Sequence, residues 1–280
     1  MDVYQNRFDV KIGDEKHFGF FSDLHCDSKL FDEKRFKYDM EEALSYDSRI
    51  YIGGDLADLI MPTDTKRYSK ERDDIARDAG LNEVTNRCYE LLLPYVNSID
   101  WIGFGNHEDS TLKYNNYDLT LGVITLLNQK RDPALRSIHH GGYKSYIRWK
   151  FSRNLNAHTT TLDILHFHGK GSSSPVTKGM IDINRLKTAY IADVYWIGHK
   201  HTGIGDIDEM TYLNQGAHIA DKQVLAFYTA GYQGNFLEED YSEGYKRNFE
   251  DRQLGGTTKG FVVLKVKILR ESGYLMRIMR

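Results

Sequence analysis

Cysteine is scarce in this chain: Cys26 and Cys88 are the two in 280 residues. Two thiols cannot build a disulfide framework, and the opening Met1-Asp2-Val3-Tyr4-Gln5-Asn6-Arg7 lacks the apolar core of a signal peptide, so a reducing cytoplasm is the expected compartment. No apolar run approaches the roughly 20 residues that span a bilayer as a helix, and no membrane partner is expected. An excess of charge of one sign is missing too. Lys and Arg number 37 against 40 Asp and Glu, a net charge of -3, which excludes the overall basic field of a dedicated nucleic-acid binder. The basic residues toward the end (Lys246, Arg247, Arg252, Lys259, Lys265, Lys267, Arg270, Arg277, Arg280) read as a solvated strand face. Repeats, low-complexity tracts and interdomain linkers are also absent, which predicts one domain over residues 1–280.

What is present is a series of short apolar runs, each closed by polar residues. Residues 1–17 read as a polar lead-in with an edge strand near Arg7–Ile12. Phe18–Ser22 is a buried strand that delivers Asp23 and His25; in extended chain, residues two apart face the same way, so both side chains can meet one metal. Phe36, Met40 and Leu44 at helical spacing predict a crossover helix over Phe31–Ser45. Arg49–Gly53 is the next strand, ending in Gly54-Asp55, and Ile99–Phe104 another, ending in Gly105-Asn106-His107-Glu108. Between them a helical insert at about 60–98 is predicted as two helices, Tyr68–Ala79 and Val84–Val96, broken near Gly80 and stopped at Pro94.

Beyond Glu108 a helix is expected over Tyr117–Gln129, then a hairpin of Tyr143–Phe151 and Thr159–His166 around Ser152–Asn156, the start of a second sheet. A helix over Ile181–Ala192 leads to the buried strand Val194–Ile197, which ends in Gly198-His199-Lys200-His201. Tyr212-Leu213, Val224–Tyr228 and Gly260–Leu269 are strand-like. Strand, helix, strand with polar residues at each strand's carboxyl end describes a parallel unit with its site on that rim.

The polar tips are Asp23, His25, Asp55, Asn106, His168, His199 and His201. They form an all-nitrogen, all-oxygen donor set with a carboxylate available to bridge, which suits two divalent cations and, lacking thiolate, disfavours a structural zinc cluster. His166 competes with His168, since both lie on one face of the same strand; His168, beside Gly169 at the strand's end, is preferred. Cys26 and Lys200 are turned away by alternation. Other signatures fail: Ile164 stands where a P-loop before Gly169-Lys170 needs glycine, Thr111 where a zinc protease helix needs its second histidine, and Asp208 where a dinucleotide fingerprint from Gly203 needs its third glycine.

In order, Asp-x-His, Gly-Asp, Gly-Asn-His-Glu, His and Gly-His-x-His resemble the signature of the calcineurin-like metallophosphoesterase superfamily, over Asp23 to His201. Asn214-Gln215-Gly216-Ala217 is similar to the Asn-Pro-Gly-Ser turn that often follows. The resemblance implies an α/β fold, a two-sheet β-sandwich flanked by helices in four αββα layers. It implies two metal ions, one held by Asp23, His25 and His201, the other by Asn106, His168 and His199, with Asp55 bridging and a bridging hydroxide attacking phosphorus in line. Mn²⁺ is the expected ion; Fe, Zn²⁺, Ni²⁺ and Mg²⁺ also suit such donors.

The resemblance also makes His107 the acid that protonates the leaving oxygen, with Asp58 as its orienting carboxylate. Leu59 stands where the protein-phosphatase branch has Arg, which argues against a Ser/Thr protein phosphatase. The expected activity is a phosphodiesterase acting on nucleotides or nucleic acid; the alternatives are a phosphomonoesterase and a catalytically silent binding protein. Tyr228, Tyr232, Tyr241 and Tyr245 are expected to pack rather than stack on a base, and His139, His140, His158 and His218 to be turn or surface residues.

Overall fold

The computed structural model describes residues 1–28, 30–60, 80–153, 159–171, 177, 179–213, 216–233, 260–269 and 273–279. Among them run twelve strands: β1 (Asp2–Asp9), β2 (Glu15–Phe21), β3 (Arg49–Ile52), β4 (Ile99–Ile102), β5 (His139–His140), β6 (Lys144–Ser152), β7 (Thr159–Phe167), β8 (Val194–Ile197), β9 (Gly205–Leu213), β10 (Ile219–Tyr228), β11 (Val262–Ile268) and β12 (Tyr274–Ile278). Five helices accompany them: α1 (Glu33–Ser45), α2 (Gly80–Leu92), α3 (Asn106–Asn115), α4 (Leu119–Asn128) and α5 (Met180–Ala189). The strands form two mixed six-stranded sheets, ordered β1-β6-β7-β8-β10-β9 and β12-β11-β2-β3-β4-β5. The class is α/β, as the motif resemblance implied.

Sequence pattern decides which strands lie where. In β3, β4 and β8 nearly every residue is buried, the mark of parallel strands covered on both faces. In β6 burial alternates instead: Ile147, Trp149 and Phe151 turn inward, while Tyr146, Arg148 and Lys150 are partly exposed, as a pleat covered on one side requires. The inward residues meet Phe18, Phe20, Tyr51, Trp101, Trp196 and Phe227 in an aromatic core between the sheets. There Trp149 Nε1 donates to Tyr51 Oη at 3.0 Å, which removes the cost of burying either polar atom alone.

Each outer face has its helical layer. Phe36, Met40 and Ala43 of α1, Val84, Cys88 and Leu92 of α2, and Val123 and Leu127 of α4 pack on one sheet with Phe21, Ile50, Ile52 and Ile102. Ile183 and Leu186 of α5 cover the other with Leu165, Tyr195 and Ile197. The order is therefore helix, sheet, sheet, helix. Asp32 starts α1 by accepting the Arg35 N–H at 3.0 Å, a side-chain N-cap.

Several local expectations shift. The lead-in is a full edge strand, β1, parallel to β6. Residues after Asn106 form α3, where no helix was predicted, and β5 and β12 were also unforeseen. Helix α2 begins at Gly80 and passes into a 3-10 turn at Leu93–Tyr95, with Pro94 in its first turn. The proposed helix Tyr68–Ala79, the hairpin tip at 154–156, Asn214-Gln215, His158, Tyr241 and Tyr245 lie outside the described residues. Among described residues, no helix is long and apolar enough to cross a membrane.

Candidate metal centre

Parallel strands deliver the polar tips to one rim. Asp23 and His25 follow β2, Asp55 follows β3, Asn106 and His107 open α3 after β4, His168 follows β7, and His199 and His201 follow β8. Beyond the strands the main chain stays paired: Asp23 N donates to Gly54 O, His25 N to Asp55 O and Cys26 N to Leu56 O, at 3.0, 3.1 and 2.8 Å.

The sequence argument for Asp23 and His25, extended chain with residues two apart on one face, is overturned. Asp23 and His25 have φ of 55° and 51°, Asp55 49°, His199 71° and His201 49°. All five are left-handed without being glycine, a conformation costing on the order of 1–2 kcal/mol per residue. Such strain collects at functional sites, where the surroundings hold it in place. Main-chain donors point inward here: His199 N donates to both Asp23 carboxylate oxygens at 2.9 Å, and His107 N, in the first turn of α3, donates to Asp55 Oδ1 at 3.0 Å.

Two groups of donors result. Asp23, His25 and His201 form one, and Asp55, His168 and His199 the other, each with ligand atoms within 4.8 Å of one another. In the first, His25 Nε2 and His201 Nε2 approach to 3.3 Å, an approach that two ring nitrogens tolerate only with a proton or a cation between them. In the second, His168 Nε2 lies 3.0 Å from Asp55 Oδ2 and 3.2 Å from Asn106 Oδ1. The groups adjoin, with His168 Nε2 4.0 Å from Asp23 Oδ1. A third group joins His25, Asp55 and His107, so the geometry alone also offers His107 to a cation. The donors are hard or borderline N and O atoms, which fits divalent ions.

Backbone carbonyls set the imidazole tautomers. A carbonyl only accepts, so His168 Nδ1–H donates to Gly53 O at 2.9 Å and leaves Nε2 facing Asp55. His199 Nε2–H donates to Gly171 O at 3.0 Å, leaving Nδ1 as its free donor atom. This outer support is what orients metal-binding histidines. His166 meets the same Gly53 oxygen through Nε2 at 3.2 Å, but its ring sits between Trp101 and Trp196 at centroid distances of 4.8 and 4.6 Å, away from both donor groups.

The charges interlock. Burial acts to lower the His25 pKa, yet Asp58, Asp55 and Asp23 outweigh it and raise it to about 10. Burial is likewise overcome at His168 by Asp55 and Asp23, which raise it to about 9. Burial works against ionising Asp23 and Asp55, but the facing histidines hold both carboxylates well below the usual range. His166, with burial and the His168 charge both acting on it, is pushed down to about 3 and stays neutral.

Asp58 is placed differently from the expectation. Its carboxylate faces His25 instead, with Oδ1 2.8 Å from His25 Nδ1. It is the main-chain oxygen of Asp58 that accepts from His107 Nδ1, at 2.5 Å. Lys200, expected to be solvated, is turned away from the rim but pairs with Asp182 with its side chain only 7% exposed, and Cys26 turns inward against Cys88. Tyr228 donates to Gly179 O and Tyr232 to Asp39, both buried, so these two rings pack rather than face a ligand.

Two carboxylates support the rim from below. Glu108 accepts from Gly105 N at 2.9 Å, Asp55 N at 3.1 Å and Leu56 N at 2.7 Å, tying the loop after β3 to the start of α3. Asp27, which sequence reasoning missed, accepts from Asp58 N at 2.5 Å and Leu59 N at 3.1 Å. Its signal in the sequence was a second acid two residues behind Asp-x-His. Ser22 Oγ donates to Asp23 and meets Thr229 Oγ1 at 2.6 Å, and Trp196 Nε1 donates to that Thr229 oxygen at 3.1 Å.

No protein-family model and no curated protein matches the chain. Among solved structures it is similar to a conserved uncharacterized protein of Streptococcus pneumoniae described as a predicted phosphoesterase, with 11% identity and TM-score 0.29 over 95% of this chain and 98% of that one. It is also similar to GAP50, the anchor in the inner membrane complex of Plasmodium, with 12% identity and TM-score 0.42 over 94% and 84%. Likenesses this distant carry no functional weight.

Proposed function

We propose that this chain is a metal-dependent phosphoester hydrolase of the calcineurin-like metallophosphoesterase superfamily, a phosphodiesterase acting on nucleotides or nucleic acid in the cytoplasm. The observation that carries the reading is the adjoining pair of donor groups, Asp23-His25-His201 and Asp55-His168-His199, reached in the order of the superfamily's motifs. Two divalent cations, Mn²⁺ by preference, bound there would supply an activated water near neutral pH and positive charge for the phosphoryl oxygens. Asp23, His25 and His201 would hold one, Asn106, His168 and His199 the other, with Asp55 shared. Strands from both ends of the chain, β1 and β12, enter the sandwich, which supports one domain over 1–280 with its insert at about 60–98.

His107 is the proposed acid. Its Nδ1–H is engaged by the Asp58 carbonyl, so the proton it can give to a leaving oxygen sits on Nε2, and its partial exposure at the rim lets substrate reach it. The buried Asp23, His25, Asp55 and His168 form a floor, while Asn106, His107, His199 and His201 are partly exposed. A partly exposed rim over a buried floor supports a site that substrate reaches from outside.

The test is hydrolysis of bis-p-nitrophenyl phosphate and p-nitrophenyl phosphate after chelation and readdition of Mn²⁺. Metal-dependent preference for the diester is expected. Preference for the monoester would make the chain a phosphomonoesterase, and turnover of neither would overturn the hydrolase reading for these esters.

A further inference from the structure

We propose that Asp27 is a positioning residue for His107, acting through the main chain of Asp58. The inference rests on the proposed role of His107 as acid, but its geometry stands on this chain's own contacts. Asp27 is 3% exposed and lies two residues past His25, outside every motif that points to the site. Its two carboxylate oxygens take the N–H groups of consecutive residues, Asp58 at 2.5 Å and Leu59 at 3.1 Å. Leu59 is held at φ 51°, a left-handed turn that a non-glycine residue keeps when its surroundings hold it there. The carboxylate is such a hold, since it offers acceptors to both amides at once.

The consequence falls on one atom. With the Asp58 and Leu59 amides fixed, the carbonyl of Asp58 points at His107 Nδ1, 2.5 Å away. That bond selects the Nδ1–H form of the ring and leaves Nε2 as the nitrogen that meets substrate. The Asp58 side chain is spoken for elsewhere, with Oδ1 against His25 Nδ1 and accepting from Gln233 Nε2 at 3.3 Å. A carboxylate partner for the acid histidine is thus replaced here by a peptide carbonyl, and the acid that steers it is one peptide further away.

Asp27→Asn is the discriminating variant. The amide keeps the size but puts an NH₂ against a main-chain N–H, so one of the two bonds is lost. The direct readout is the long-range ¹H–¹⁵N spectrum of the His107 ring in metal-free full-length protein at alkaline pH. A single Nδ1–H tautomer is expected in the wild type and a mixture of both tautomers in Asp27→Asn. The second readout is the Mn²⁺-loaded enzyme on two diesters, bis-p-nitrophenyl phosphate, whose leaving group departs as a stable anion, and a dinucleoside phosphate, whose alkoxide needs a proton.

General acid catalysis contributes roughly 100- to 10,000-fold, so misplacing the acid should cost the dinucleoside phosphate at least roughly 10-fold while the nitrophenyl ester changes little. A purely structural role would lower both rates alike. An unchanged tautomer in a folded Asp27→Asn protein, or equal losses on both esters, would overturn the proposal. Should the variant not fold, hydrogen exchange in wild-type protein decides: protected amides at Asp58 and Leu59 support the clamp, and exchange at open-loop rates refutes it. If the wild type cleaves neither ester, the hydrolase reading falls, and the tautomer comparison still decides the role of Asp27.

Discussion

Asp55 falls in two donor groups, one with His168 and His199 and one with His25 and His107; Oδ1 accepts from His107 N, and Oδ2 lies 3.0 Å from His168 Nε2. Asp55→Asn replaces one oxygen by NH₂ and removes the charge, so loss of bound metal and of activity is expected, read by metal content after dialysis. Two retained ions with full turnover would refute the bridging role. His107→Ala should behave in the opposite way, keeping its metal and losing roughly 100- to 10,000-fold in turnover of poor leaving groups. Loss of metal instead would make His107 the ligand that its grouping with His25 and Asp55 permits. Residue identities were legible because acids and imidazoles closed apolar runs; their orientation was not. Period-two alternation puts His166 and His168 on the same face; Gly169 marked the strand's end and favoured His168, as the stop of β7 at Phe167 agrees, and the structure adds the non-local reason that Trp101 and Trp196 enclose His166.

At the scale of elements, buried strands such as β3, β4 and β8 could be read directly, since runs apolar on both faces and closed by glycine leave few alternatives. Helix α3 could not. Its buried residues are Glu108 and Thr111, so no apolar stripe marks it, and the surviving clue is an N-terminal one, Glu108 at the third helical position accepting from Gly105 N. Edge strands β1 and β12 carry polar residues on their exposed face, and for the same reason β12 was hidden and β1 was placed too late, near Arg7–Ile12 instead of Asp2–Asp9. The closeness of the elements at the rim makes a prediction. A Cβ on Gly54, whose φ is +92°, would sit 2.5 Å from Gly105 N and 2.6 Å from Phe104 C, main-chain atoms that cannot turn aside. Gly54→Ala should destabilise by about 2–4 kcal/mol from strain and overpacking together and should weaken metal binding. A urea midpoint and metal content equal to wild type would show that the strand ends separate freely.

Across the whole molecule the aromatic core and the candidate centre both join the two sheets, and in the centre Asp23, His25, Asp55 and Asn106 follow strands of one sheet and His168, His199 and His201 strands of the other. Without metal, protons bridge this second joint. The His25 and His168 pKa values are raised from 6.5 to about 10 and about 9, so their stabilising contribution is complete below 6.5 and is lost as pH rises through 9 and 10. The Asp23 and Asp55 values are lowered from 3.8, so their contribution is complete above 3.8 and fades only at lower pH. Burial and the His168 charge push His166 down to about 3, so it works against the fold as pH falls below 6.5, and burial with the Asp55 charge raises Glu108 from 4.5 to about 7, so it works against the fold as pH rises from 4.5 to 7. The two offset between 4.5 and 6.5, and chelated protein should therefore melt at its highest temperature between about pH 4.5 and 6.5 and at progressively lower temperature toward pH 10. Added Mn²⁺ should reverse that trend, because binding displaces the ring protons and tightens as pH rises. At a free concentration 100-fold above Kd, one bound ion adds about 2.7 kcal/mol. Thermal melts with and without Mn²⁺ across this range test the joint. A metal-induced rise that is the same at every pH would mean that the ions bind apart from His25 and His168, and no rise at all would remove the cations from the centre between the sheets.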